Sequence, residues 1–176
     1  LGNPSFLRGA VGILPANRKF IRIYNSDVAR SPDGRWWILS DRLDAASGLG
    51  YSIENRIIST RVMPDMVRGH NARRLPPFLE TFSESLNKLS PREVDQPLIV
   101  LLTPGPYNET FFEQSYLARI LGYPLVEGAD LAVRDNQVYL KTIRGRRRVD
   151  VILRRIDAEW CDPLELRDDS LLGVPG

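Results

Sequence analysis

The 176-residue chain has one cysteine, one histidine and three lysines. With Cys161 alone no internal disulfide forms, so a reducing, cytoplasmic setting is expected. A hydrolytic Ser-His-Asp triad would have to use His70, which sits in the polar stretch Gly69-His70-Asn71 and reads as a solvated surface residue. Cys161, in Trp160-Cys161-Asp162-Pro163, has no evident neighbouring base and reads as a structural thiol. No apolar run reaches 18 residues, which leaves no membrane-spanning helix. Walker-type loops, paired-cysteine zinc patterns and H-E-x-x-H are absent. The basic groups are almost all arginine, the formal net charge is only +2, and residues 1–95 (14 basic, 10 acidic) differ little in charge from 96–176 (10 basic, 12 acidic). That is too mild for a nucleic-acid module, and the densest basic run, Arg144-Gly145-Arg146-Arg147-Arg148, has no interleaved aromatics for base stacking and reads as a solvated turn. The chain opens on Leu1 and stops at Leu172-Gly173-Val174-Pro175-Gly176, which we read as a piece excised from a longer protein.

What is present is the patterning of an α/β protein. Residues 1–19 read as irregular. Phe20 to Val28 alternates loosely, Ser31-Pro32-Asp33-Gly34 has turn chemistry, and Trp36 to Leu39 is a second β-rich run, so a hairpin is expected near residues 20–40. Ala45 to Gly50 reads as a small-residue loop. A helix is expected over Ser52 to Met63, with Pro64 as its stop. A second begins at Pro76-Pro77, with Leu75, Phe78, Leu79, Phe82, Leu86 and Leu89 on one face. Arg92 to Pro97 reads as a linker, dividing the chain into residues 1–91 and 92–176. The continuous apolar run Leu98 to Leu102 suits a strand covered on both faces. A helix capped by Asn108 follows, with Glu109 and Glu113 in its first turn and Gly122 past its end, and Pro124 to Glu127 is a second strand. Leu131/Val133 and Val138/Leu140 around Asp135-Asn136 predict a hairpin, and Val149 to Leu153 a further strand.

Two constellations carry candidate chemistry. In open α/β sheets ligands bind beyond the carboxyl ends of strands, beside the next helix N-terminus. That rule points to Thr103, Gly105, Tyr107, Asn108 and Glu109, with Arg154 or Arg155 nearby. Adjacent strand residues face opposite ways, so only one of the two arginines can line a given cleft. The second constellation is Asp27, Asp41 and Asp44 with Ser47, Gly48, Asn55 and Arg56. Carboxylates on paired strands can gather a divalent ion, but Arg42 among them opposes it.

The ordered motifs Asp27-Val28-Ala29-Arg30-Ser31-Pro32-Asp33-Gly34-Arg35-Trp36-Trp37, Ser47-Gly48-Leu49-Gly50-Tyr51-Ser52-Ile53-Glu54-Asn55-Arg56, Leu102-Thr103-Pro104-Gly105-Pro106-Tyr107-Asn108-Glu109-Thr110 and Asp169-Ser170-Leu171-Leu172-Gly173-Val174-Pro175-Gly176 carry a resemblance. So do Leu125-Val126-Glu127-Gly128, Val138-Tyr139-Leu140-Lys141-Thr142 and Val149-Asp150-Val151-Ile152-Leu153-Arg154-Arg155. Over about residues 5–176 the chain resembles the bacterial circularly permuted ATP-grasp proteins of type 2, which are glutathionylspermidine-synthase-like. The resemblance implies the last strands of an ATP-grasp region with connecting helices, then most of a Rossmann-like preATP-grasp α/β domain truncated at its C-terminus. It also implies kinship with ATP-dependent carboxylate–amine ligases that work through an acyl phosphate.

The resemblance further implies three metal-ligand positions, falling on Asp27, Ser40 and Arg42. Only Asp27 keeps a ligating side chain there. Asp41 is retained between the other two, and Ala46 replaces a proline before Ser47-Gly48. A guanidinium ~4 Å from a cation repels it by roughly 4 kcal/mol per unit-charge product at an effective dielectric near 20, doubled for a divalent ion. Arg42 is therefore expected to pair with Asp27 or Asp44, with Asp41 facing away. Two readings follow. One is a divergent, non-catalytic member that binds a peptide-like or amino-acid-like small molecule or a partner protein; its segment here is expected to hold no metal and no cofactor, leaving ATP and Mg²⁺ to the full-length protein. The other is a working part of a peptide-type ligase whose nucleotide site lies mainly outside this segment.

Overall fold

The computed structural model describes residues 6–15, 18–70 and 73–176. Of the expected irregular stretch 1–19, residues 1–5 and 16–17 lie outside these, as does Asn71 beside His70; the described part has one short 3-10 turn, Arg8–Ala10.

Strands β1 (Asn25–Arg30) and β2 (Trp36–Arg42) form an antiparallel hairpin. The loose alternation from Phe20 predicted an earlier start, but residues 20–24 form no ladder. Both strands pair only with each other, and Trp36, Trp37, Ile38 and Leu39 are all exposed. Helix α1 (Leu49–Val62) begins inside the stretch read as a loop. Its start there has a physical cause, an acceptor from elsewhere in the chain, described below. Pro64 does end α1, but it also opens α2 (Pro64–Gly69), where a missing N–H costs nothing. Helix α3 (Pro76–Asn87) follows with Phe82 and Leu86 buried, while Phe78, expected on the same face, is 48% exposed.

The centre of the molecule is the parallel sheet β4-β3-β8, built from β3 (Ile99–Leu102), β4 (Leu125–Val126) and β8 (Val151–Arg154). All four residues of β3 are buried, as its unbroken apolar run requires. Its side chains divide by parity. Ile99 and Leu101 join Ile53, Phe82, Leu86, Leu117, Ala118, Val151 and Leu153 in one cluster, under the helices. Val100 and Leu102 join Val126, Leu131, Leu140, Val149 and Ile156 on the other face. Helix α4 (Phe111–Leu121) connects β3 to β4 and packs on α1. Gly122 ends it at φ 73°, the left-handed cap expected of it.

The second face is covered by an antiparallel meander of β5 (Leu131–Arg134), β6 (Gln137–Thr142) and β7 (Gly145–Arg148). Asp135 and Asn136 take φ of 50° and 56°, the paired positive values of a tight two-residue hairpin turn. The basic run is a correction: Gly145–Arg148 is the strand β7, paired with β6, rather than a turn. The turn itself is Ile143-Arg144. An arginine strand at a solvated edge has no apolar alternation to announce it.

Candidate functional site

A polar cleft of about 640 Å³ opens at the carboxyl end of the central sheet. The end of β2 and the loop after it (Asp41 to Ser47) form one wall. Asn108, Glu109 and Thr110, before α4, form the second, and Arg155, Ile156 and Asp157, after β8, the third. Pro104, Trp160 and Leu172 complete it.

The loop after β3 is held by side chains folded inward. Thr103 is 1% exposed and donates through Oγ1 to Gln114 Oε1; the Gly105 N–H donates to Thr103 Oγ1 at 3.1 Å. Asn108 Oδ1 accepts from the Thr110 N–H at 3.0 Å, Thr110 Oγ1 at 2.7 Å and Gln114 Nε2 at 3.2 Å. Asn108 thus organises the entry to α4, as expected, although the helix starts later, with Thr110 as N-cap and Glu109 outside the first turn. Gly105, at φ 98°, is buried against the Glu127 carboxylate. Only Asn108 and Glu109 of the five loop residues named from sequence line the cleft. Thr103 and Gly105 lie beneath it, and Tyr107 is fully exposed.

The two arginines at the end of β8 separate as strand geometry requires. The Arg154 guanidinium donates to Asp44 Oδ1 and to the Ile156 carbonyl, and Asp44 Oδ2 also accepts the Ala158 N–H at 3.1 Å. Arg155 faces the cleft and is 7% exposed. Its Nε is buried with no hydrogen-bond partner among the described residues. Burial pulls its pKa down, and the negative charge of Glu113 opposes that pull.

Glu113 is the residue that sequence reasoning missed. It was read only as a first-turn charge, yet it is 0% exposed. Its Oε1 and Oε2 accept the Gly48 N–H at 2.7 and 2.9 Å, and Oε1 accepts the Gly50 N–H at 2.9 Å. A carboxylate from α4 therefore caps the N-terminus of α1, where unpaired amides and the helix dipole favour negative charge. Gly48 enters α1 at φ 113°. At Gly50 a Cβ would lie 2.6 Å from Glu113 Cγ, so both glycines serve this contact. A glycine pair opening a helix that has no side-chain cap of its own was the available signal.

At the metal-ligand positions implied by the resemblance the side chains engage one another. Asp27 Oδ2 accepts from Ser40 Oγ at 2.6 Å and from Arg42 Nε and Nη2 at 3.1 and 2.9 Å. The Ser40 hydroxyl first, then Arg42, holds the Asp27 carboxyl below the usual aspartate range. Of the two partners expected for Arg42 it takes Asp27, while Asp44 goes to Arg154. Asp41 turns to Tyr24, whose hydroxyl donates to it at 2.6 Å. Ser47 lines the cleft, with its carbonyl accepting from Asn25 Nδ2 at 2.9 Å. Asn55 and Arg56 are not brought to this place. Asn55 is exposed midway along α1, and Arg56 lines a separate, largely apolar groove between α1 and α3.

His70 is exposed, with Nδ1 2.8 Å from the Met66 carbonyl oxygen. Burial pushes the Cys161 thiol up, away from the thiolate form. No helix among the described residues is long and apolar enough to cross a membrane.

The family model of circularly permuted ATP-grasp type 2 proteins matches residues 1–176. An uncharacterized protein of Mycobacterium tuberculosis is 44% identical over 171 residues, 97% of this chain and 31% of the relative. A second uncharacterized protein of the same organism is 40% identical over 174 residues, 99% of this chain and 20% of the relative. One from Synechocystis is 39% identical over 171 residues, 97% of this chain and 36% of the relative. The chain thus spans between a fifth and about a third of the length of these relatives.

Proposed function

The chain belongs to the circularly permuted ATP-grasp type 2 family, and from that premise we propose that it is a divergent member that binds a small polar ligand and has given up Mg-ATP chemistry at this segment. The observation that carries the reading is the Asp27 carboxylate. Mg²⁺ needs oxygen ligands in a near-octahedral shell. Here one carboxylate oxygen is already engaged by a hydroxyl and by two N–H groups of a guanidinium. Arg42 supplies permanently the positive charge that a metal would bring, and its fork suits a carboxylate.

The ligand reading rests on the cleft. Its volume falls within the range of small-molecule sites, about 300–1,000 Å³. It sits at the carboxyl end of parallel strands, beside the N-terminus of α4. Its charges are of both signs, with a buried guanidinium at Arg155 and exposed carboxylates at Glu109 and Asp157. That arrangement suits an amino-acid-like or peptide-like molecule, with an anionic and a cationic end.

Calorimetric titration of the full-length protein with ATP, with and without Mg²⁺, tests the loss of nucleotide chemistry. Weak binding that is indifferent to Mg²⁺ is expected. Tight, Mg²⁺-dependent binding would overturn the reading in favour of a working ligase.

A further inference from the structure

We infer that the Nε edge of Arg155 is the anchor for an oxyanion, a carboxylate or phosphate group, that enters the cleft between the β2 end, the α4 N-terminus and the β8 end. A guanidinium carries five N–H donors and stays charged in any protein environment. Buried polar groups are paired in folded proteins, and each exception calls for an explanation. Arg155 is such an exception: it is 93% buried by its 7% exposure, it lines the cleft, and its Nε has no partner among the described residues.

The acids around it are committed or turned outward. Asp41 accepts from the Tyr24 hydroxyl, and Asp44 accepts from Arg154 and the Ala158 N–H. Glu113 spends its carboxylate on the Gly48 and Gly50 amides. Glu109 and Asp157 are exposed at the rim. Arg42, the other cation lining the cleft, is bound to Asp27. Arg155 is thus a buried cation with an uncommitted donor, on a residue that lines a polar cavity. The planar Nε–Nη edge presents two parallel N–H groups, the geometry that meets two oxygens of a carboxylate or phosphate at once. Arg154, one residue earlier, cannot share the task because its guanidinium is taken by Asp44 and the Ile156 carbonyl.

The inference rests on the ligand-binding reading of the cleft but not on the loss of Mg-ATP chemistry. Full-length protein that binds an oxyanion here and also binds Mg-ATP tightly would contradict the proposed function alone. The test is a nuclear magnetic resonance titration of the full chain with acetate and, separately, inorganic phosphate, reading the Arg155 Nε–H signal and the Thr110 backbone amide. Saturable movement of the Nε–H signal with at least one probe is expected, and the arm that saturates first says which oxyanion the site prefers. Arg155→Gln should weaken the response of Thr110 by about tenfold or more. Should that variant fail to fold, Arg155→Lys keeps the charge but loses the two-pronged edge and should still weaken it. Arg68→Gln, on α2 in the separate groove, should leave it unchanged. An Nε–H signal that neither probe moves, or equal affinity in the folded Arg155 variants, would overturn the inference.

Discussion

The Glu113 carboxylate, on α4, accepts the backbone N–H of Gly48 at 2.7 Å across 65 residues of sequence. One buried side chain thereby fixes where α1 starts and ties it to the helix that borders the cleft. It also places a negative charge near the Arg155 guanidinium.

Removing that carboxylate should be costly. Glu113→Ala leaves the Gly48 and Gly50 amides without an acceptor and opens a cavity, for a loss of about 2–4 kcal/mol. Glu113→Gln keeps an acceptor but loses the charge, for about 1–2 kcal/mol. Urea unfolding of the full-length protein, followed by circular dichroism, gives both values. Equal stability in all three proteins would remove Glu113 from its capping role.

The same contact forbids a side chain at Gly50. A Cβ there meets Glu113 Cγ at 2.6 Å and the Glu113 carbonyl oxygen at 3.2 Å, so α1 and α4 would have to move apart. Gly122 offers the contrast: its φ is 73° but nothing lies within 4 Å of a Cβ. Gly122→Ala should cost only the left-handed strain, about 1–2 kcal/mol. Gly50→Ala should cost more than that, as judged by the shift in urea midpoint.

Asp150 should govern part of the acid sensitivity. Its side chain is 0% exposed, receives Arg92 Nε and Nη2 at 2.6 and 2.7 Å, and accepts the Leu98 N–H at 2.8 Å. Arg92 first, with the Leu98 amide assisting, lowers its pKa against the opposing effect of burial. A depressed carboxyl stabilises the fold fully above the unfolded aspartate value of about 3.9 and loses that contribution as pH falls through the folded value. Asp150→Asn should therefore cost about 1–2 kcal/mol at neutral pH, Arg92 being partly solvated. The variant's stability should also fall less than that of the parent as pH drops below the ordinary aspartate range. Parallel acid profiles would contradict the assignment.

The fold was legible where side-chain pattern and backbone state coincide. The apolar run Leu98 to Leu102 suited a strand buried on two faces, which forms over Ile99–Leu102, and Asp135-Asn136 between alternating apolar pairs suggested the tight hairpin that forms there. Gly145 to Arg148 defeated the same logic because an arginine edge strand is held by its backbone ladder alone. The start of α1 differs for a related reason: its cap comes from Glu113, and the glycine pair at Gly48 and Gly50 is the one local trace of a partner so far away. The cleft was half legible. The strand-end rule pointed to Asn108, Glu109 and Arg155, which line the cleft, and the pleat said that only one of the two arginines could face in. It could not say that Thr103 and Gly105 are consumed in holding the loop, nor that Tyr107 points to solvent.

The account turns on the Asp27 carboxylate, whose Oδ2 accepts from Ser40 Oγ and Arg42 Nη2. Its side-chain carboxyl resonance, followed against pH in the full-length protein with and without millimolar Mg²⁺, reads that engagement directly. Asp27 is expected to titrate below the ordinary aspartate range, with a profile that Mg²⁺ leaves unmoved and that Arg42→Gln shifts upward. A carboxyl signal that moves saturably with Mg²⁺ in the unmutated protein would mean that the metal displaces Arg42, and the account would be wrong at its centre.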